Sequence, residues 1–157
     1  MSEIVYGNKY DKDLDTAEIA KRVRMDIKAA IASGDLPKGL KASVRMDRFA
    51  GGSSIDIRVT QVPQGFTLAN PERIQWDLEH PYASSTKVLP LYTAEAMALL
   101  LKLKALLDAY NYDGSDIMTD YFNVRFYGDV RFDHDLAQAD RDRLAATLNT
   151  ATENGWA

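Results

Sequence analysis

The chain has 157 residues, 46% hydrophobic and 27% charged, with no cysteine and a formal net charge of −4. That is one domain's worth of ordinary globular sequence, expected here as a single domain over 1–157. It excludes a disulfide scaffold, thiol catalysis and Cys-ligated zinc or iron–sulfur centres. The lack of cysteine suits a reducing compartment. Residues 1–10 lack the basic start and apolar run of a secretory signal. A cytoplasmic location is therefore expected. The most apolar stretch, Ala94–Leu107, is interrupted by Lys102 and Lys104 and is too short to span a bilayer, so no membrane partner is expected.

The spacing predicts a first helix over Thr16–Ser33. Asp15 and Glu18 have capping-box spacing, Ile19, Val23, Ile27 and Ile31 form an apolar stripe, and Gly34 follows as a left-handed cap. Lys21, Arg24 and Lys28 line up beside that stripe. Two alternating runs, Lys41–Arg48 and Ser54–Val62, predict a hairpin around Gly51-Gly52, with a loop longer than two residues. Its solvent face carries Lys41, Arg45 and Arg58.

Residues 63–90 hold four of the five prolines. Asn70-Pro71 starts a short helix through Glu79 that buries Ile74 and Leu78. This region reads as a candidate contact loop or as cover for a sheet edge. Thr93 caps a second long helix, Ala94–Tyr110, apolar nearly all round and so expected to be a core helix or a homodimer contact. From Tyr121 to Phe132 every even position is apolar or Gly, which predicts one long strand with a bulge or bend at Gly128. Asp135 and Gln138 open a C-terminal helix over 136–150, with Leu136, Ala139, Leu144 and Leu148 inward.

These elements give an α+β fold: an antiparallel sheet of hairpin plus long strand, with helices on one face. If Ile4–Tyr6 adds a strand, the order becomes β-α-β-β-α-β, the split βαβ arrangement.

Candidate chemistry is sparse, and no catalytic residue, metal or cofactor is assigned. His134 between Asp133 and Asp135 could suggest a metal or a His–Asp base, but neighbouring residues face different ways. Asn111, Asp113, Gly114 and Asp120 partly follow a calcium-loop spacing, but Ala109 stands where the first ligand is required. A helix-ending turn explains them better. Gly51-Gly-Ser-Ser54 could form a small anion nest, but a hairpin turn explains it better. Arg125–Phe132 resembles the first ribonucleoprotein signature at Arg125, Tyr127, Gly128, Val130 and Phe132, and departs from it at Phe126 and Asp129.

Charge divides along the chain. Residues 1–60 carry 11 Lys/Arg against 9 Asp/Glu, and residues 61–157 carry 8 against 14. Asp108, Asp113, Asp116, Asp120, Asp129, Asp133 and Asp135 make a candidate acidic surface for a basic protein partner. Lys21, Arg24, Lys28, Arg45, Arg58, Arg125, Tyr127 and Arg131 make the alternative, a nucleic-acid face.

Three stretches in order, Lys41-Ala-Ser-Val-Arg45, Gly51-Gly-Ser-Ser-Ile-Asp-Ile57 and the Thr-Asp-Tyr-Phe ending at Phe122, follow a helix that begins Thr16-Ala-Glu-Ile. Together they resemble a large polyvalent protein-associated domain of phages and conjugative elements. The likeness covers 15–135 and treats 63–90 as an insertion. It implies a setting, an accessory protein of an invading genome in counter-defence. Joined to the acidic surface above, the expectation is a non-enzymatic protein that binds a host protein, of anti-CRISPR or anti-restriction type, through acidic mimicry of nucleic acid. No catalytic residue carries over; Asp120, Tyr121 and Phe122 are family-like positions only.

Overall fold

A computed structural model describes residues 3–81, 89–114 and 124–153 of the chain. The fold is α+β, with elements in the order β1 (Val5–Tyr6), α1 (Thr16–Ser33), β2 (Lys41–Phe49), β3 (Gly52–Gln61), α2 (Pro71–Glu79), α3 (Ala94–Asp108), β4 (Tyr112–Asp113), β5 (Tyr127–Phe132) and α4 (His134–Glu153). They form two compact units: Met1–Pro63 with Leu100–Arg131, and Gln64–Leu99 with Phe132–Ala157.

In the first unit, α1 starts where the sequence places it. The Asp15 side chain accepts from the Glu18 N–H at 2.9 Å, while the Glu18 carboxylate turns to Arg22 instead of back to the cap. Gly34 ends the helix at φ 90°, a conformation that costs other residues about 1 kcal/mol or more. Ile19, Ala20, Val23, Ile27 and Ala30 are buried and Ile31 is half-buried. They pack on a mixed three-stranded sheet of order β2-β3-β5. Val44 of β2 and Ile55, Ile57 and Val59 of β3 face the same core.

Phe49 pairs directly with Gly52, so the hairpin loop is only Ala50–Gly51, shorter than expected. β5 also differs from the expected antiparallel long strand. It begins at Tyr127, Val124 makes a lone bridge to Asp113, and the sheet it joins is mixed. The chain between β3 and β5 includes α3, and a long connection is what a parallel neighbour requires. The expected inside-outside parity holds: Phe126 and Phe132 are buried, whereas Tyr127, Asp129 and Arg131 are exposed. Gly128 has no left-handed backbone; a Cβ there would lie 2.9 Å from Leu107 of α3. Close helix approach, not a bulge, explains that glycine.

Val5–Tyr6 does form a strand, but it pairs antiparallel with β4 in a separate two-stranded ribbon. A single split βαβ sheet is therefore not formed. Nor is α3 buried all round. Ala96, Leu99, Leu103 and Leu107 are buried on one stripe, while Met97 and Leu101 are exposed.

In the second unit, Asn70 caps α2 through the Glu72 N–H and Pro71 takes the first helical position, as expected. Ile74 is buried, but Leu78 is exposed. α4 begins at His134, one turn-residue after Asp133, whose carbonyl accepts from the Ala137 N–H. Asp135 thus sits inside the first turn and Gln138 bonds Asp142. The inward positions include Ala137 and Asp140, and Ala139 is exposed. The buried Asp140 carboxylate accepts from the N–H groups of Leu68 and Ala69 and pairs with Arg143. Among the described residues, no helix is long and apolar enough to cross a membrane.

Candidate functional site

The first unit carries a groove of about 500 Å³ between α1 and β2. α1 supplies Arg24, Ile27, Lys28 and Ile31; the entry to β2 and the strand itself supply Leu40, Lys41, Ala42, Ser43 and Val44. The helical spacing that predicted a basic stripe beside an apolar one produces this arrangement. Ile27 and Leu40 are buried and Ile31 is half-buried, whereas Arg24, Lys28 and Lys41 are exposed at the rim. Among the described residues the lining contains three cations and no carboxylate. Arg24 also donates from Nη2 to the Val44 carbonyl at 2.6 Å, tying helix to strand.

A second concavity, about 940 Å³, lies beside the β1–β4 ribbon. Tyr6, Tyr10 and Tyr112 cluster there, with ring centroids 5.1, 5.9 and 5.4 Å apart. Of the three cations that line it, Lys9 is engaged with Asp26 at 3.0 Å and Arg22 with Glu18 at 3.3 Å; Lys12 lines it beside the Asp11 carboxylate. The Tyr110 hydroxyl donates to Asp26 at 2.5 Å. Burial and that bond push the Tyr110 phenol above its ordinary range.

The sequence-predicted residues are only partly brought together. Of the eight nucleic-acid candidates, Arg24 and Lys28 line the groove and Lys21 lies on the same helix row. Arg45 stands opposite Asp56 and Arg58 opposite Ser43 on the sheet. Arg125 is structural, donating to the Leu14 carbonyl at 2.8 Å. Tyr127 packs its ring 6.0 Å from Phe49, and Arg131 lies 3.8 Å from Asp129.

The acidic candidates are dispersed as well. Asp108 is held by Lys104 at 3.0 Å, Asp113 pairs in the ribbon, and Asp129 meets Arg131. Asp133 and Asp135 belong to the other unit. Asp116 and Asp120 lie outside the described residues, as do Tyr121 and Phe122.

The remaining motifs have structural explanations. His134 and Asp135 lie 3.5 Å apart but are almost fully exposed, and the described residues hold no cluster of three metal-ligating side chains. Asn111 is buried. Its amide donates to the Phe126 carbonyl, and its oxygen accepts from the N–H groups of Tyr112, Arg125 and Phe126. That amide staples chain segments together and has no capacity left for calcium. Ser53 bonds the buried Thr16 hydroxyl at 2.8 Å, joining the hairpin to the start of α1.

Sequence reasoning placed the groove's basic rim and, in Ile27 and Ile31, the helix side of its floor, but missed Leu40, which joins them only where α1 lies along β2. It also missed the tyrosine cluster, because Tyr112 is far along the chain from Tyr6 and Tyr10. The chain matches no family model, no curated protein and no solved structure.

Proposed function

We propose that this protein is a non-enzymatic binding module that docks a protein partner in the groove between α1 and β2. The observation that supports this reading is the lining itself: a floor of Ile27, Ile31 and Leu40 under a rim of Arg24, Lys28 and Lys41, without a carboxylate. Protein recognition combines an apolar centre with complementary charge at the edge. A polyanionic backbone is recognised by clustered Lys/Arg and stacking rings, and this floor offers aliphatic groups instead. In the mobile-element setting that the family likeness implies, the partner would be a host protein.

The acidic-surface version of host binding draws less support, because Lys104 and Arg131 already meet Asp108 and Asp129. Nucleic-acid binding is favoured by one observation, the exposed pair of Phe49 at the hairpin end of β2 and Tyr127 at the start of β5. It predicts a gel shift that weakens steeply with salt.

A photocrosslinker placed at position 28, in cells expressing the protein, separates these readings. Discrete protein adducts that disappear when Arg24 and Lys41 are reversed to Glu are expected. Nucleic-acid adducts, or protein adducts indifferent to both reversals, would overturn the proposal.

A further inference from the structure

Among the described residues β2 is the outer strand of its sheet, with β3 on one side. A two-residue hairpin closes on a hydrogen-bonded pair, here Phe49 and Gly52. Antiparallel ladders alternate, so Asp47, Arg45 and Ser43 turn their N–H and C=O groups toward Ser54, Asp56 and Arg58. By the same alternation Met46, Val44 and Ala42 turn theirs away from β3. The Arg24 bond to the Val44 carbonyl is independent support for that direction.

The outward backbone of β2 and the groove are therefore the same place. From this juxtaposition we infer that the groove accepts an extended acidic segment of another protein, added as a further strand along β2. This rests on the protein-docking reading and names its partner chemistry.

Strand addition fixes the side-chain pattern of that segment. Successive residues of an added strand point to opposite faces. One set would face Ile27, Ile31 and Leu40 and must be apolar. The other would lie on the outer sheet face beside Lys41, Ser43 and Arg45, with Arg24 and Lys28 flanking the apolar set. Arg45 already stands across from Asp56, so Lys41 is the main attraction on that outer face. The chemistry that fits is an alternating sequence of β-branched and acidic residues. An alternating basic sequence would meet three cations and no anion in the groove.

Fluorescence anisotropy tests this with a labelled octapeptide of alternating Val and Glu. Three further probes are the same peptide N-methylated at alternate amides, its Val–Lys counterpart, and a single-stranded oligonucleotide. The Val–Glu peptide is expected to bind. The Lys28→Glu change on the exposed helix face should weaken it by about tenfold. N-methylation in the phase that removes the amides facing β2 should abolish binding, and methylation in the other phase should leave it intact. Equal binding of both methylated phases, with the charge-reversal effect retained, would overturn strand addition while leaving groove docking in place. Preference for the Val–Lys peptide, or absence of binding by either peptide, would overturn both. Oligonucleotide binding in place of peptide binding would do the same, in favour of nucleic acid.

Discussion

The α1–β2 groove and the tyrosine concavity belong to one unit, and each gathers cations beside apolar groups, yet they use that charge in opposite ways. In the concavity Lys9 and Arg22 already face Asp26 and Glu18, and the rings of Tyr6, Tyr10 and Tyr112 lean on one another. Exposed pairs of this kind contribute at most about 1 kcal/mol each, but they leave little field for a ligand. In the groove Arg24, Lys28 and Lys41 share a lining without any carboxylate. The larger hollow thus mixes cations, Lys12 included, with the Asp11 carboxylate in one lining, whereas the charged groups that line the smaller one are all cations. Volume alone would have ranked them the other way.

That contrast can be broken from either side, and the largest effect is expected in the ribbon. A Cβ at Gly7 would fall 2.3 Å from the Asp108 carbonyl oxygen and 2.4 Å from that of Ala109. Gly7→Ala should cost about 3 kcal/mol or more, read by urea denaturation. Asn111→Ala comes next. It strips partners from a buried carbonyl and three N–H groups, for an expected loss of about 2–3 kcal/mol. Calcium should leave the stability of the unsubstituted protein unchanged.

Changes in the groove should act on binding more than on folding. Ala42→Pro removes an N–H that points away from β3, which an outer strand tolerates. Its stability should fall by about 1 kcal/mol or less, while Val–Glu peptide binding is lost. Retained binding would argue that the backbone of β2 takes no part. The smallest effect is expected at Tyr110. Its folded-state phenol ionises above the ordinary value of about 10, so the stabilisation is present below that pH and is lost as pH rises toward the folded value. Between pH 9 and 11 the protein should lose about 1 kcal/mol more stability than Tyr110→Phe does.

What was legible in the sequence was local. Asp15, Gly34, Asn70 and Pro71 mark helix ends because capping is settled within three or four residues. The parity of β3 and β5 follows from the pleat alone. Features that join distant segments were hidden. Asn111 looks like a calcium ligand until Phe126 supplies its hydrogen bonds. Asp140 looks like one more surface acid until Leu68 and Ala69 offer it their N–H groups. The apolar count of α3 overstated its burial, because composition does not say how many sides of a helix have neighbours. The groove lies between these cases. Its cations could be read from helix spacing, but whether they faced a strand edge or open water could not.

The hydroxyl pair of Thr16 and Ser53 and the nearby Arg48–Asp15 ion pair at 3.7 Å both fasten the first turn of α1 to the tip of the hairpin. Ile31 sits about 22 Å farther along the helix axis, beside the short connection 34–40 that leads straight into β2. Helix and hairpin are thus held at both ends, like a plank resting on two trestles, with Arg24 on Val44 as a tie partway along. The width of the groove beside Ile31 and Leu40 is accordingly fixed by the length of that connection as well as by the contacts at Thr16.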